Sequence, residues 1–476
     1  MTKIKENFIY NLIYQVLLVV SPLITMPFLA RSLGVNGVGE YSYAYSLLSY
    51  FVLAATLGCD IYGRREISYT KDNRENLTNT FWRIQTVKVI STLLVLCLYC
   101  VFSAISKNKA LLFMLIFHLL NVPLNISWFY QGIENFKKIT IRGLIIKILD
   151  ILFVVLFIHA PNDLALYTLG SSIIAFMSFA VLWIDIKKYI NKPKLHLKEI
   201  RHSFKEAFIF FLPSIAASIY TLLDKTMLGA ITGAYTENGY YEQAQKINII
   251  LLRVVLALGA VLLPQIANAH KQNDRKKISR LILKSLNYVF FVSFAIAFEL
   301  IIISDVFVPW FFGQEFQQVS ILLKFSGFIL IFQGVDDVLG MQYLVSTGHQ
   351  KEYVKTLFCG AAINFLCNLL LIPVIYSSGA LIASLIGEIS ICIYQYLLIK
   401  KRLDLSSTRK SAMKYLISGI AITVLFLPLS HIVPTNIVGV IILSVFPMLS
   451  YCAIIILLKD DFGRSLLKTL IIKKHS

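Results

Sequence analysis

Six basic residues lie inside apolar stretches long enough to cross a bilayer: Lys88, Lys147, Lys225, Lys246, Arg253 and Lys324. A charge at the bilayer centre costs about 2.5–3.5 kcal/mol on insertion scales, so such residues face a cavity or a partner. Arg253 sits mid-span in the apolar run 249–263, with Lys246 two turns earlier and Lys225, beside Asp224, in the preceding span. Arg253, Lys246 and Lys225 can line a cationic chamber suited to an anionic group such as phosphate, held by an Arg fork and Lys point charges. The alternative is internal pairing, of Lys246 with Asp224 or with Glu242 four residues before it. Lys147 and Asp150, three apart, are expected to pair, while Lys88 and Lys324 lie near enough to span ends to snorkel.

Acidic residues are also placed at membrane depth: Asp224, Glu299, Asp336, Asp337 and Glu388. A carboxylate kept out of water can take up a proton or a cation, which makes these the candidates for binding a coupling H⁺ or Na⁺. Their spacing does not choose among them. No metal-ligand cluster, HExxH, GxSxG or GxxxxGK[ST] occurs, so neither zinc chemistry, esterase chemistry nor ATP hydrolysis at a P-loop is indicated, and no cofactor is implied. The seven cysteines lie mostly in apolar stretches; the Cys97–Cys100 pair has no second pair beside it, and a buried structural role is expected.

The elements that would carry these residues are helices in lipid. The chain has 476 residues, 57% hydrophobic and 15% charged, with a mean hydropathy of +0.72. Soluble domains are nearer a quarter charged. Apolar runs recur from 8–30 to 436–458, giving about fourteen spans of roughly 20 residues each. The first is too long for a signal-peptide core and is expected to be retained. The net charge of +19 is segregated rather than gathered on one face, which argues against nucleic acid. With the N-terminus inside, thirty-six Lys and Arg residues fall in cytoplasmic segments, against Arg31, Lys107 and Lys109 outside. That asymmetry orients a multi-pass protein with both termini cytoplasmic.

A weak internal repeat supports two halves. Gly39, Tyr41 and Ala44 match Gly239, Tyr241 and Ala244 at one offset, each group expected in an outside loop leading into an even-numbered helix. Parallel repeats of this kind place a transport path between the halves. Pro22, Pro27, Pro123 and Pro213 interrupt spans and allow bends.

Distinctive segments occur in order along the chain: 27–34 (PFLARSLG) with 37–41 (GVGEY), 60–67 (DIYGRREI), 128–137 (WFYQGIENFK), 224–229 (DKTMLG), 239–244 (GYYEQA) and 313–316 (GQEF). Together they resemble the polysaccharide repeat-unit flippases called Wzx, of the multidrug/oligosaccharidyl-lipid/polysaccharide exporter superfamily. The resemblance covers nearly the whole chain. It implies an all-α integral membrane fold of two six-helix bundles related by a pseudo-two-fold axis, residues 1–206 and 207–402, with two extra helices and a cytoplasmic tail in 403–476. It implies as cargo an oligosaccharide linked by pyrophosphate to undecaprenol, moved from the cytoplasmic to the outer leaflet of a bacterial inner membrane for O-antigen, capsule or exopolysaccharide synthesis. A polysaccharide polymerase and a chain-length regulator of the same pathway are the implied partners. Arg31 matches the family's loop arginine, and Arg64 with Asp60 its cytoplasmic gate region. The first helix lacks the several arginines of lipid II flippases, which disfavours a peptidoglycan precursor. Two other readings are an ion-coupled drug antiporter on the same fold, which would favour an acidic cavity, and a membrane polysaccharide polymerase. The latter needs a large external loop, and the longest expected here, about 308–319, is short.

Overall fold

The computed structural model describes residues 2–191, 197–460 and 462–463, with backbone alone for 2–15, 212–214 and 216–221. The described residues form helices and no strand. In a bilayer only a helix or a closed barrel satisfies every backbone polar group, and the long apolar runs of this chain choose the helix. Among the described residues nine helices are long and apolar enough to cross a membrane, or ten when one bent pair is taken as a single span. Leu93, Leu94, Leu98 and Val101 on one helix are all more than half exposed, an apolar surface that only lipid would cover. This is a multi-pass membrane protein.

The chain divides into two compact units, 1–226 and 227–476. In the first, α1 (Thr2–Thr56) is followed by α2 (Cys59–Thr70), α3 (Arg74–Ile105), α4 (Lys109–Met114), α5 (Ile116–Leu124), α6 (Ser127–Gly132), α7 (Phe136–Phe157), α8 (Leu164–Ala180) and the start of α9 (Leu197–Thr232). One core gathers Ala44, Leu48, Tyr99, Leu112 and Leu119 from α1, α3, α4 and α5. A second, aromatic core joins α2, α3 and α6 through Tyr62, Phe81, Trp128, Phe129 and Tyr130.

The helix breaks have local causes. α1 runs through Pro22 and Pro27 and departs from helical angles at Gly34 (φ 66°), a left-handed conformation that glycine adopts without a Cβ penalty. A second break falls at Gly58 (φ 72°), where an added Cβ would stand 2.5 Å from the carbonyl oxygen of Ala207. Both repeat segments lie within helices, not in loops: Gly39–Ala44 inside α1 beyond the Gly34 break, and Gly239–Ala244 inside α10 (Tyr235–Val255). The small and apolar residues of the two segments are turned inward, with Ala44 and Ala244 both fully buried. The side chain of Pro213 lies outside the described residues.

The second unit continues with α10 and α11 (Ala257–Lys271), α12 (Arg275–Phe311), α13 (Gln318–Asp336), a π-helical stretch (Asp337–Val345), α14 (Gln350–Ile399), α15 (Ser406–Ser430) and α16 (Ile437–Leu457). α10 and α11 meet at a 46° bend. α12 packs against α11, α13, α15 and α16. Gly327 on α13 allows a close backbone approach to α12, since a Cβ there would stand 2.7 Å from Cα of Ala297. α14 breaks at Tyr376 (φ 53°), three residues beyond Pro373. Between α12 and α13 the connection is shorter than expected, only 312–317, because α12 extends to Phe311.

Cys59 and Cys392 are buried as expected, but Cys97 is exposed and Cys100 half-buried on the outer face of α3; both are free thiols. In a lipid-facing helix a thiol counts as a small apolar group, so exposure carries little cost.

Candidate functional site

In the first unit the chemistry gathers where α5 stops and α6 starts. Pro123 lacks an N–H, and Asn125 leaves the helix at φ −72°, ψ 95°. A helix ended at membrane depth leaves carbonyls with no water to bind. Here three successive carbonyl oxygens each receive a side-chain donor. Gln85 Nε2 donates to Pro123 (2.6 Å), Trp183 Nε1 to Leu124 (2.9 Å) and Lys88 Nζ to Asn125 (2.8 Å). Lys88 Nζ also donates to Asp60 Oδ1 at 2.6 Å. The Lys88 side chain is 1% exposed, so it does not snorkel to the cytoplasmic end. An ammonium that would otherwise be desolvated has found a carboxylate and a carbonyl beside it. Neither partner is close to it in sequence, and so its role could not be read from position along the helix.

The segments 60–67 and 128–137 of the sequence meet at the same place. A Cβ on Gly63 of α2 would stand 2.5 Å from the Trp128 ring, and one on Gly132 of α6 would stand 2.5 Å from Ile67. The ring of Trp128 stacks on Phe81 with centroids 5.5 Å apart. These glycines let α2 and α6 approach closely, so much of what makes the two segments distinctive is packing. Arg64 on the same helix is exposed. Its neighbour Arg65 pairs with Glu66 (2.9 Å) and Glu206 (3.7 Å) and lies over the Phe210 ring. Lys71 donates to Glu134 at 2.8 Å, which raises its pKa.

Asp224 is buried and Lys225 half-buried on α9, and both engage other groups. The next residue, Thr226, donates to Tyr50 OH or Ser46 Oγ, each at 3.2 Å, which holds this part of α9 against α1. Arg31, exposed and three residues before the Gly34 break, also has a partner, and the adjacent Ser32 donates to the Ile158 carbonyl at 2.9 Å. Lys147 and Asp150 pair at 3.7 Å as expected.

In the second unit Lys246 pairs with Glu242 at 3.1 Å while keeping a third of its side chain exposed, the internal pairing weighed as its alternative. Arg253 is exposed in the last turn of α10, three residues before the bend at Leu256, and has its own interactions. Lys324 does not simply snorkel; it forms an ion pair with Asp305 at 2.6 Å. The spacing could not reveal this, because Asp305 belongs to the neighbouring helix.

The most elaborate polar group of this unit surrounds the start of the π-helical stretch, a type of bulge that recurs at functional sites. Asp336 accepts a hydrogen bond from Gln395 Nε2 on α14 (2.5 Å), and Asp337 accepts one from Gln342 Nε2 (2.7 Å). Gln395 lies 3.3 Å from Thr356 Oγ1. Both glutamines are buried, and among the described residues the amide oxygens of both lack hydrogen-bond partners. Each carboxylate thus sits beside a buried glutamine whose own amide oxygen is left unpaired, and a buried carboxylate can take up a proton or a monovalent cation. Gly259 gives room for the Asp337–Gln342 contact, since a Cβ there would lie 2.5 Å from Gln342 Nε2 and 2.8 Å from Asp337 Oδ2. Glu388 on α14 is buried and has a partner. Glu299 on α12 has both carboxylate oxygens buried and without a hydrogen bond among the described residues. The glutamines had no signal in the sequence as site residues; they are recognised only by what they touch.

A family described as polysaccharide biosynthesis protein matches residues 4–270, more than half of the chain. The chain belongs to that family. It is 22% identical to the putative O-antigen transporter of Escherichia coli (strain K12) over 81% of this chain and 94% of that one. To the capsular polysaccharide biosynthesis protein CapF of Staphylococcus aureus it is 24% identical, over 83% and 99%. Among solved structures it shares a fold with the lipid II flippase MurJ in an inward closed conformation (TM-score 0.70, 15% identity, 96% of this chain and 100% of that one). An inward-facing multidrug resistance MATE family transporter is also similar (TM-score 0.64, 14% identity, 82% and 96%). The family's matched region ends at residue 270, beyond Arg253 and within the last turn of α11, so the Lys88 group lies inside it and the Asp336 group outside it.

Proposed function

We propose that this protein is a transporter, not an enzyme, and that it moves an undecaprenyl-pyrophosphate-linked oligosaccharide repeat unit from the cytoplasmic to the outer leaflet during O-antigen, capsule or exopolysaccharide synthesis. The observation that carries the reading is family membership joined to near full-length similarity to an O-antigen transporter and a capsule biosynthesis protein. Arg253, Lys225 and Lys246, with Arg31 and Arg64, are the proposed contacts for the pyrophosphate. The exposure of Arg253 and the residual exposure of Lys246 leave both able to meet an anion, which favours this cargo over a cationic drug.

The proposed membrane architecture is fourteen spans in a bacterial inner membrane, with both termini cytoplasmic, grouped as bundles 1–206 and 207–402 and an additional pair in 403–476. The helix lengths support it. At 1.5 Å per residue a 50-residue helix reaches ~75 Å, far beyond the ~30 Å hydrocarbon core. Both 55-residue α1 and 50-residue α14, each broken near its middle, are therefore two spans. The bent α10–α11 pair is one more, and α7 and α9 supply the remaining two. A polymerase and a chain-length regulator of the same pathway are the proposed partners.

Transport is coupled to H⁺ or Na⁺ at Asp336 and Asp337, each beside a buried glutamine, Gln395 and Gln342, in preference to Asp224, Glu299 or Glu388. The experiment that tests the whole reading is deletion of the gene in its own host. Lipid-linked repeat units should accumulate on the cytoplasmic leaflet and surface polysaccharide should be lost, both restored by the wild-type gene. Normal surface polysaccharide after deletion, with no second transporter present, would refute the assignment.

A further inference from the structure

A cavity of about 720 Å³ opens on the second unit between α12, α13, α14 and the first turns of α15. Its walls are apolar over most of their length, formed by Phe290, Phe332, Val335, Ile389, Ile393 and Tyr396. Ile393 and Tyr396 are half exposed, so the groove is open along its side and not sealed inside the bundle. At one end the lining changes character to Lys400, Asp404, Ser406, Thr408 and Arg409. Lys400 and Arg409 are exposed, and neither forms an ion pair among the described residues. The Asp404 carboxylate is already engaged by the Ser406 backbone N–H at 2.9 Å, which lowers its pKa and ties it to the start of α15. The positive end of the 25-residue helix α15 adds to the field of the two cations.

We propose that this groove holds one anionic phospholipid of the cytoplasmic leaflet, its acyl chain against the apolar wall and its phosphate between Lys400 and Arg409. The dimensions favour that occupant. From Ile389 to Lys400 is eleven residues, ~16 Å of helix, and half of a ~30 Å hydrocarbon core is ~15 Å. The groove thus has the depth of one leaflet and a volume in the range of about 300–1,000 Å³ that holds a single small ligand. A long polyprenyl chain would overrun it. The pairing of an apolar trough with a basic mouth at one end matches an amphiphile with a single anionic head, and cationic side chains near a membrane surface attract such lipids. The groove runs beside the Asp336 group, past Val335 and Tyr396, but neither Asp336 nor Arg253 lines it, so the proposal does not rest on the transport reading.

The test is native mass spectrometry of the purified full-length protein in detergent, titrated with phosphatidylglycerol or with phosphatidylcholine of the same acyl chains. The wild type should retain phosphatidylglycerol preferentially. The double variant Lys400→Gln/Arg409→Gln should lose that preference by about fivefold per charge removed. Lys401→Gln, which removes a neighbouring charge outside the groove, should leave it unchanged. Ile393→Trp should lower retention of both lipids by narrowing the trough. Equal retention of the two lipids by the wild type would overturn the proposal, as would an unchanged preference in the double variant. Displacement of phosphatidylglycerol by equimolar undecaprenyl phosphate would also overturn it, and would assign the groove to the isoprenoid carrier.

Discussion

Lys88 Nζ stands 2.6 Å from Asp60 Oδ1 and 2.8 Å from the Asn125 carbonyl oxygen, with its own side chain sealed from the surface. One ammonium thereby ties the start of α2 to the end of α5 and satisfies a carbonyl that the helix break leaves over. The cost of burying that charge is met only while both partners are in place.

Asp60→Leu should therefore destabilise the first unit by about 3 kcal/mol, the scale for leaving a buried charge without its partner, here the sealed Lys88 ammonium. The Lys88→Met/Asp60→Leu double variant should recover part of the loss, because no uncompensated ammonium remains. Thermal unfolding in detergent, followed by circular dichroism, checks both. Equal melting temperatures for the wild type and Asp60→Leu would contradict the role assigned to the pair.

The contact of Gly63 with Trp128 makes a steric prediction. A methyl group at position 63 would stand 2.5 Å from the indole ring, and overpacking of this kind costs about 1–3 kcal/mol. Gly63→Ala should lower the melting temperature, and Gly63→Ala/Trp128→Phe should lower it less than the sum of the two single changes. Strict additivity would mean that the two residues do not press on each other.

At the π-helical stretch, Asp336→Asn and Asp337→Asn should each remove most of the dependence of transport on the Na⁺ or pH gradient while the protein still folds. Gln395→Leu should act in the same direction but more weakly, since it removes an anchor and leaves the carboxylate. Uptake or leaflet exchange measured in vesicles with and without an imposed gradient checks this. Unaltered gradient dependence in both Asp variants would move the coupling site elsewhere, with Glu299 and Glu388 as the next to neutralise.

Arg253→Ala should slow outward movement of a pyrophosphate-linked substrate by at least about tenfold, the size of one charge-assisted hydrogen bond of ~1.5–3 kcal/mol. Arg253→Lys should restore part of it, because a point charge replaces the fork. Lys246→Gln should have a smaller effect, since that ammonium is already paired with Glu242. An Arg253→Ala rate equal to the wild type would remove Arg253 from the substrate path.

The membrane class and the helical content were legible from the apolar runs alone, because hydrocarbon thickness and backbone satisfaction leave few alternatives. Asp150 could be matched to Lys147 because both lie on one helix face at fixed spacing. Lys88 and Lys324 could not be matched to Asp60 and Asp305, because those partners come from other helices and distance along the chain says nothing about them. Gly39–Ala44 and Gly239–Ala244 read as loops since glycine and polar residues cluster there, yet buried packing carries both segments as helix. Gln342 and Gln395 were invisible as site residues; an uncharged amide inside a span has no composition signal, and only its hydrogen bond to Asp337 or Asp336 gives it meaning.

Flipping by this protein is measured most directly by reconstituting the purified protein in liposomes carrying undecaprenyl-pyrophosphate-linked oligosaccharide in one leaflet and following its arrival in the other with an impermeant sugar-oxidising or glycan-cleaving probe. Transfer well above protein-free liposomes, and slowed by Arg253→Ala, is the predicted result. Transfer no faster than in protein-free liposomes, from protein shown to be folded and supplied with H⁺ and Na⁺ gradients, would contradict it.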